Sequence, residues 1–241
     1  VIEIKICCIS SHDEARLAID AGANVLGLVS AMPSGPGVID EGLISSIAAA
    51  VRVQTFLLTS LCDADAIVEQ HRRCGTTGIQ LCDALPAGTI PRLREALPGV
   101  RLVQVVHVTG PASHDEAMSA AREADALLLD SGNPALQIKE LGGTGRVHDW
   151  AISRRICMDA GAPVFLAGGL RAENVEAALA STGASGVDIC SGVRTEGRLD
   201  REKLTRFVRN VRSAEAAGRN SATPDRGARA HGPDERAGGG G

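Results

Sequence analysis

The sequence predicts an α/β protein: a (β/α)8 TIM barrel, one domain over residues 1–213, followed by a disordered tail over 214–241. Three observations predict it. Short, β-branched apolar runs alternate with segments of helical spacing about eight times over roughly 210 residues, the usual size of such a barrel. The runs are apolar throughout rather than at every second residue, as in strands covered on both faces. A doubly wound open sheet is the competing architecture, but no G-x-G-x-x-G follows the first run.

Taken in order, IEIKICCI (2–9) reads as a strand and HDEARLAIDAGA (12–23) as a helix ending on Gly22. NVLGLVS (24–30) and VIDEGLISSIAAAV (38–51) form the second pair, VQTFLLT (53–59) and DADAIVEQHRRCG (63–75) the third. TGIQLC (77–82) precedes a helix around 89–97, and VRLVQVVHV (100–108) precedes SHDEAMSAAREA (113–124). DALLLD (125–130) leads through a glycine-rich loop to HDWAISRRICMDAG (148–161). APVFLAGG (162–169) and RAENVEAALASTG (171–183) come next, then SGVDIC (185–190) and a final helix around 200–213. Ser11 with Asp13 and Glu14, and Ser113 with Glu116, supply cap signals for the first and fifth helices. From Ala214 the chain is rich in Gly, Ala, Arg and Asp without apolar periodicity, too little buried surface to offset chain entropy.

Composition narrows the function classes. The chain is 44% hydrophobic with a formal net charge of −4, so neither nucleic acid nor an anionic membrane is an expected partner. Aromatic residues make up 2% and tyrosine is absent, which leaves no base-stacking platform. Seven cysteines stand at 7, 8, 62, 74, 82, 157 and 190, with no C-x-x-C spacing. No basic stretch leads into an apolar signal core, and no apolar run is long enough to span a bilayer. Together these predict a reducing, cytoplasmic compartment.

In such a barrel the chemistry sits at the C-terminal ends of the strands. Side chains alternate along a strand, so Ile4, Ile6 and Cys8 share one face and Lys5 and Cys7 the other. The apolar face meets the helices. Lys5 and Cys7 are therefore expected inward, and Cys8 outward as a small hydrophobe. An inward Lys5 would favour the Cys7 thiolate; two inert buried thiols are an equal alternative. Asp130 closes DALLLD, and a buried acid is costly unless solvated, paired or used. Gln80 ends the fourth strand. FLAGGLRAEN (165–174) and DICSGVR (188–194) resemble two halves of a phosphate cradle, where glycine lets backbone N–H groups approach an anion. ELGGTGRVHDW (140–150) is not a nucleotide P-loop and reads as a flap. His148 reads as a capping or surface residue and Trp150 as core.

KIC-x-I-S at the first strand, LLLDS with GGTGR and DW, LAGGL-x-x-ENV, and GVD-x-x-SGV occur in that order over most of residues 3–213. In this the chain resembles the phosphoribosylanthranilate isomerases of tryptophan biosynthesis. The resemblance implies a cofactor-free, metal-free Amadori rearrangement of a small phosphorylated sugar amine, by a monomer or homodimer. It implies Cys7 as the base and Asp130 as the acid. The accompanying substrate- and phosphate-binding set is Lys5, Gln80, Gly145, Arg146, Gly168, Gly169, Asp188, Ser191 and Gly192.

Three positions depart from the family pattern. The glycine after the motif cysteine is Cys8. The loop that usually reads S-P-R-Y-V here reads Gly35-Pro36-Gly37-Val38, without the arginine expected to hold the anthranilate carboxylate. The fourth strand ends Gln80-Leu81-Cys82-Asp83 in place of Q-L-H-G. Arg146 or Arg194 could stand in for the lost cation; if the chain is instead a paralogous isomerase for another sugar amine, restoring arginine at 37 is expected to raise activity on the anthranilate compound. A paralogous isomerase for another sugar amine, and a non-catalytic phosphate-binding barrel, remain open alternatives.

Overall fold

The computed structural model describes residues 1–132 and 147–221. Eight parallel strands close in the order β1 to β8, with β8 returning to pair with β1. They are β1 (Glu3–Ile6), β2 (Val25–Val29), β3 (Gln54–Thr59), β4 (Gly78–Leu81), β5 (Arg101–His107), β6 (Ala126–Asp130), β7 (Val164–Leu166) and β8 (Gly186–Ile189). The helices are α1 (His12–Ala21), α2 (Glu41–Ala50), α3 (Ala64–Cys74), α4 (Thr89–Ala96), α5 (Ser113–Ala121), α6 (Trp150–Asp159), α7 (Val175–Thr182) and α8 (Arg201–Ser221). Each helix carries its strand back to the N-terminal end of the barrel, the crossover that parallel neighbours require. Among the described residues no helix is long and apolar enough to cross a membrane.

Local chemistry sets the element ends. Ser11 Oγ accepts from the Glu14 N–H at 3.2 Å and caps α1, and Gly22 ends it in the left-handed region at φ 107°. Asp40, Asp63 and Asp149 cap α2, α3 and α6 in the same way. The expected cap at Ser113 is not made. Ser113 opens α5 itself, and its hydroxyl donates to the His107 carbonyl, tying the helix to the end of β5. The last helix also exceeds expectation. It continues to Ser221, so residues 214–221 are helix rather than tail. Glu215, buried, receives Arg212 and Arg219 from one turn on either side, which supplies the pairing that apolar periodicity did not announce. Residues 222–241 lie outside the described residues.

The outward faces of β1, β2, β7 and β8 join the helices in one large apolar cluster that includes Ile4, Ile6, Leu26, Leu28, Leu166 and Val187. The interior is filled by pairing very large with very small residues. Phe56 and Phe165 meet edge to face, their centroids 6.4 Å apart, with the Arg101 guanidinium over both rings. Arg101 also grips Glu3 through two hydrogen bonds and closes the bottom of the barrel. Gly78 and Gly186 make room for the rings: a Cβ on Gly186 would lie 2.5 Å from Phe165. Gly186→Ala is accordingly expected to overpack this layer and destabilise the fold by about 1–3 kcal/mol, read as a lower urea midpoint at unchanged m-value.

Candidate active site

The C-terminal mouth holds one cleft lined in part by Cys7, Gln80, Asp130, Gly168, Gly169, Asp188 and Ser191. Strand parity delivers most of these. Cys7 follows β1 on the inward face, Gln80 and Asp188 point inward from β4 and β8, and Asp130 is the last residue of β6. Gly168 and Gly169 form the turn after β7, both in the left-handed region at φ 78° and 62°, which only glycine adopts freely. Gly192 does not line the cleft. It lies where the turns after β7 and β8 touch, and a Cβ there would sit 2.2 Å from the Leu170 carbonyl oxygen. Gly145 and Arg146, and the flap expected around them, lie outside the described residues.

Lys5 is placed beneath the cleft rather than in its wall. It is fully buried, and its Nζ donates to Asp188 at 2.8 Å across the β1–β8 seam, where the two residues are register partners. Burial by itself lowers the pKa of an ammonium. Here the Asp188 carboxylate and the neighbouring Cys7 and Cys8 thiols outweigh it and hold Lys5 charged, above its ordinary value. Gly27 on β2 makes this possible, since a Cβ there would lie 2.9 Å from Lys5 Nζ and 3.0 Å from Cys7 Sγ. Asp130 is almost fully buried. Burial raises its pKa, and the charge of Asp188 adds to the rise. A hydrogen bond from the Ser131 N–H, together with His107 and Lys5, opposes it.

Cys8 is not the outward hydrophobe that alternation predicts. Regular strand geometry ends at Ile6, and Cys8 adopts φ 61°, the left-handed conformation in which glycine is the default. That turn brings its thiol into the mouth beside Cys190, Sγ to Sγ 2.8 Å. The same turn explains position 37. Gly37 lies against Cys8, with a Cβ there only 2.4 Å from Cys8 Cβ, and its own φ is 79°. An arginine at 37 therefore has neither the space nor the backbone conformation it needs, and the expectation that it restores activity is corrected.

Arg194 is not a spare cation either. Its guanidinium is paired with Glu14 at 2.8 and 3.1 Å and donates to the carbonyls of Cys7 and Cys8 at 3.3 and 2.5 Å. Glu14 also accepts from the Ser10 and Leu199 N–H groups, so one partly buried ion pair anchors the end of β1 to α1 and to the turn after β8. Three residues at the mouth escaped the sequence reading. Cys190 and His107 lie on inward faces that parity along β8 and β5 would have exposed; Glu14 had no signal beyond its place in a first turn. His107 Nε2 lies 3.2 Å from the Cys82 carbonyl, and its Nδ1 is buried without a partner among the described residues. His148 is buried rather than on the surface, its Nε2 lying 2.7 Å from Ser153 Oγ, and Asp149 takes the capping role instead. Trp150, expected in the core, is partly buried and packs against it.

Fold and mouth together define a (β/α)8-barrel enzyme whose ionisable groups converge at the C-terminal ends of the strands. The model of the N-(5'-phosphoribosyl)anthranilate isomerase family matches residues 4–210. The isomerase 2 of that name from Methanosarcina mazei is 32% identical over 216 residues, covering 88% of this chain and 95% of its own. The chain belongs to the N-(5'-phosphoribosyl)anthranilate isomerase family. Among solved structures, the isomerase from Pyrococcus furiosus superposes with a TM-score of 0.74 at 25% identity, covering 88% of this chain and all of its own. A second, at 20% identity and a TM-score of 0.74 over 88% of this chain and all of its own, is a phosphoribosylanthranilate isomerase bound to reduced 1-(o-carboxyphenylamino)-1-deoxyribulose 5-phosphate.

Asp188→Asn is expected to strand the Lys5 ammonium in the interior and cost about 3–5 kcal/mol. The double variant Lys5→Met, Asp188→Leu should recover most of that loss in denaturant unfolding, because no charge is then left unpaired. A single variant as stable as the parent would refute the role given to the pair.

Proposed function

We propose that this chain catalyses the isomerisation of N-(5'-phosphoribosyl)anthranilate to 1-(o-carboxyphenylamino)-1-deoxyribulose 5-phosphate by general acid–base catalysis. The observation that carries the assignment of roles is that Cys7 and Asp130, 123 positions apart in the sequence, line one cleft with the Gly168-Gly169 turn and Ser191. Asp130 protonates the furanose ring oxygen, and the ring opens to an iminium. Cys7 removes the proton at C2, and the resulting enolamine relaxes to the ketone. The backbone N–H groups of the two turns hold the phosphate end, which fixes the sugar between acid and base. The complex of the related isomerase with a reduced product analogue supports a phosphorylated ligand of this shape.

The environment of Asp130 suits its role. A raised pKa keeps Asp130 in the acid form to higher pH than an exposed aspartate, whose value is about 3.9. Such a rise has a sign for stability. The unfolded carboxylate ionises first, so folding is disfavoured as pH climbs from the unfolded value through the folded one. Asp130 is thus kept against stability, as expected of a group retained for chemistry.

One observation favours a second reading, a sugar amine with a different aglycone. The Cys8–Gly37 contact closes the place where a loop arginine would meet a carboxylate. Comparing kcat/KM for the anthranilate compound with that for an uncharged arylamine analogue separates the two. A preference for the neutral analogue would move the assignment to the second.

Cys7→Ser and Asp130→Asn are each expected to lower kcat/KM by about 100- to 10,000-fold. Asp130→Asn should at the same time raise the thermal midpoint at pH 7 and flatten the alkaline limb of the residual rate. Near-parental turnover in either variant would overturn the acid–base roles. Gly37→Arg is expected to lower the thermal midpoint without raising turnover.

A further inference from the structure

Two thiols in the mouth have no part in the isomerisation, and they point at each other. Cys8 Sγ and Cys190 Sγ are 2.8 Å apart, although 182 residues of chain separate them. Each follows a strand of the seam: Cys8 comes two residues after the end of β1, and Cys190 one after the end of β8. The Cys8 side chain is held in this direction by its left-handed backbone, by Gly37 against its Cβ, and by Arg194 on its carbonyl. A disulfide needs the sulfurs at about 2.05 Å, so less than about 1 Å of closure would join them. Both line the cleft; Cys190 is partly exposed there, open to a small reagent, and Cys8 is buried.

We propose that Cys8 and Cys190 are a reversible disulfide site, a redox-dependent staple across the seam where the barrel closes, which leaves Cys7 as a free thiol. The co-reactant is a low-molecular-weight disulfide such as oxidised glutathione. The Cys190 thiolate attacks one of its sulfurs, forming a mixed disulfide and releasing one glutathione thiolate. The Cys8 thiolate then attacks the Cys190 sulfur, forming the protein S–S bond and releasing the second. Two protein thiols lose two electrons and two protons, and one glutathione disulfide becomes two glutathiones.

The environment favours that order. The hydrogen bond shared with Cys8, with the positive charge of Arg194 nearby, lowers the pKa of the Cys190 thiol against the effect of its burial. Cys8, hydrogen-bonded to Cys190 and to Cys7 and buried, is pushed up and serves as the resolving thiol. The consequence follows from the long loop. A link between the first and last strands ties nearly the whole barrel into one closed ring, the case in which a crosslink restrains the unfolded chain most. The staple also holds the Cys8 thiol away from Cys7, with which it would otherwise compete to form a bridge between sequence neighbours.

The test uses the full chain equilibrated in buffers of defined reduced and oxidised glutathione. The expected result is a mass lower by two hydrogens, and a nonreducing peptide map that joins the Cys8 and Cys190 peptides. The thermal midpoint should rise by about 5–15 °C, and dithiothreitol should reverse both changes. Cys190→Ser, and separately Cys8→Gly, which suits the left-handed backbone and so keeps the fold, should abolish the link and the rise together. A bond found at Cys7, no link at glutathione ratios that saturate an exposed dithiol, or a midpoint that rises equally in Cys190→Ser would overturn the proposal. None of these readouts requires turnover, so failure here is separate from failure of the isomerase assignment.

Discussion

The seam between the first and last strands depends on a buried ion pair. Lys5 and Asp188 are register partners on β1 and β8, and their contact lies in the barrel interior directly under the mouth. An ammonium in that position is tolerable only because the carboxylate faces it and Gly27 leaves it room. The pair does more than close the cylinder. It places a positive charge beneath Cys7 and a negative one beside Asp130, and the Asp188 charge adds to the rise that burial gives the Asp130 pKa. Above it, Arg194, paired with Glu14, donates to the carbonyls of Cys7 and Cys8, and the end of β1 is braced from below and from outside.

A second constraint is steric. The barrel interior is narrow, and its large groups are admitted only where a glycine faces them: Gly186 and Gly78 under Phe165 and Phe56, Gly27 beside Lys5 and Cys7, and Gly37 over Cys8. The last pair links two positions that look independent in the sequence. A side chain at position 8, turned by a positive φ, fills the space that a side chain at position 37 would need. Positions 8 and 37 thus compete for one space at the mouth.

Much of this was legible in the linear chain. The alternation of buried apolar runs with amphipathic helices announced eight units, because parallel strands covered on both faces leave that pattern. Parity along β1 aimed Lys5 and Cys7 inward, because side chains on an extended strand alternate; Gln80 and Asp130 were marked only by their places at strand ends, and Asp188 only by the family resemblance. The double glycine after β7 marked a turn with positive φ, because few other residues adopt it. Parity failed at Cys8, where the strand had already ended. The Ser113 cap failed because a tertiary partner, the His107 carbonyl, took the hydroxyl.

By itself, then, the sequence determined the barrel, the inward faces of its strands and the motifs that identify the family, all of which rest on local geometry repeated along the chain. Tertiary structure alone decided which charges meet. Nothing near Arg194 in the sequence says that Glu14 will claim it, nothing near Cys190 says that Cys8 will face it, and Lys5 reads as a site residue until Asp188 is seen to hold it below the cleft. The physical reason is the same in each case: these are contacts across the closure of the cylinder, between residues about 180 positions apart, and no periodicity along one strand or helix carries information about its partner on another.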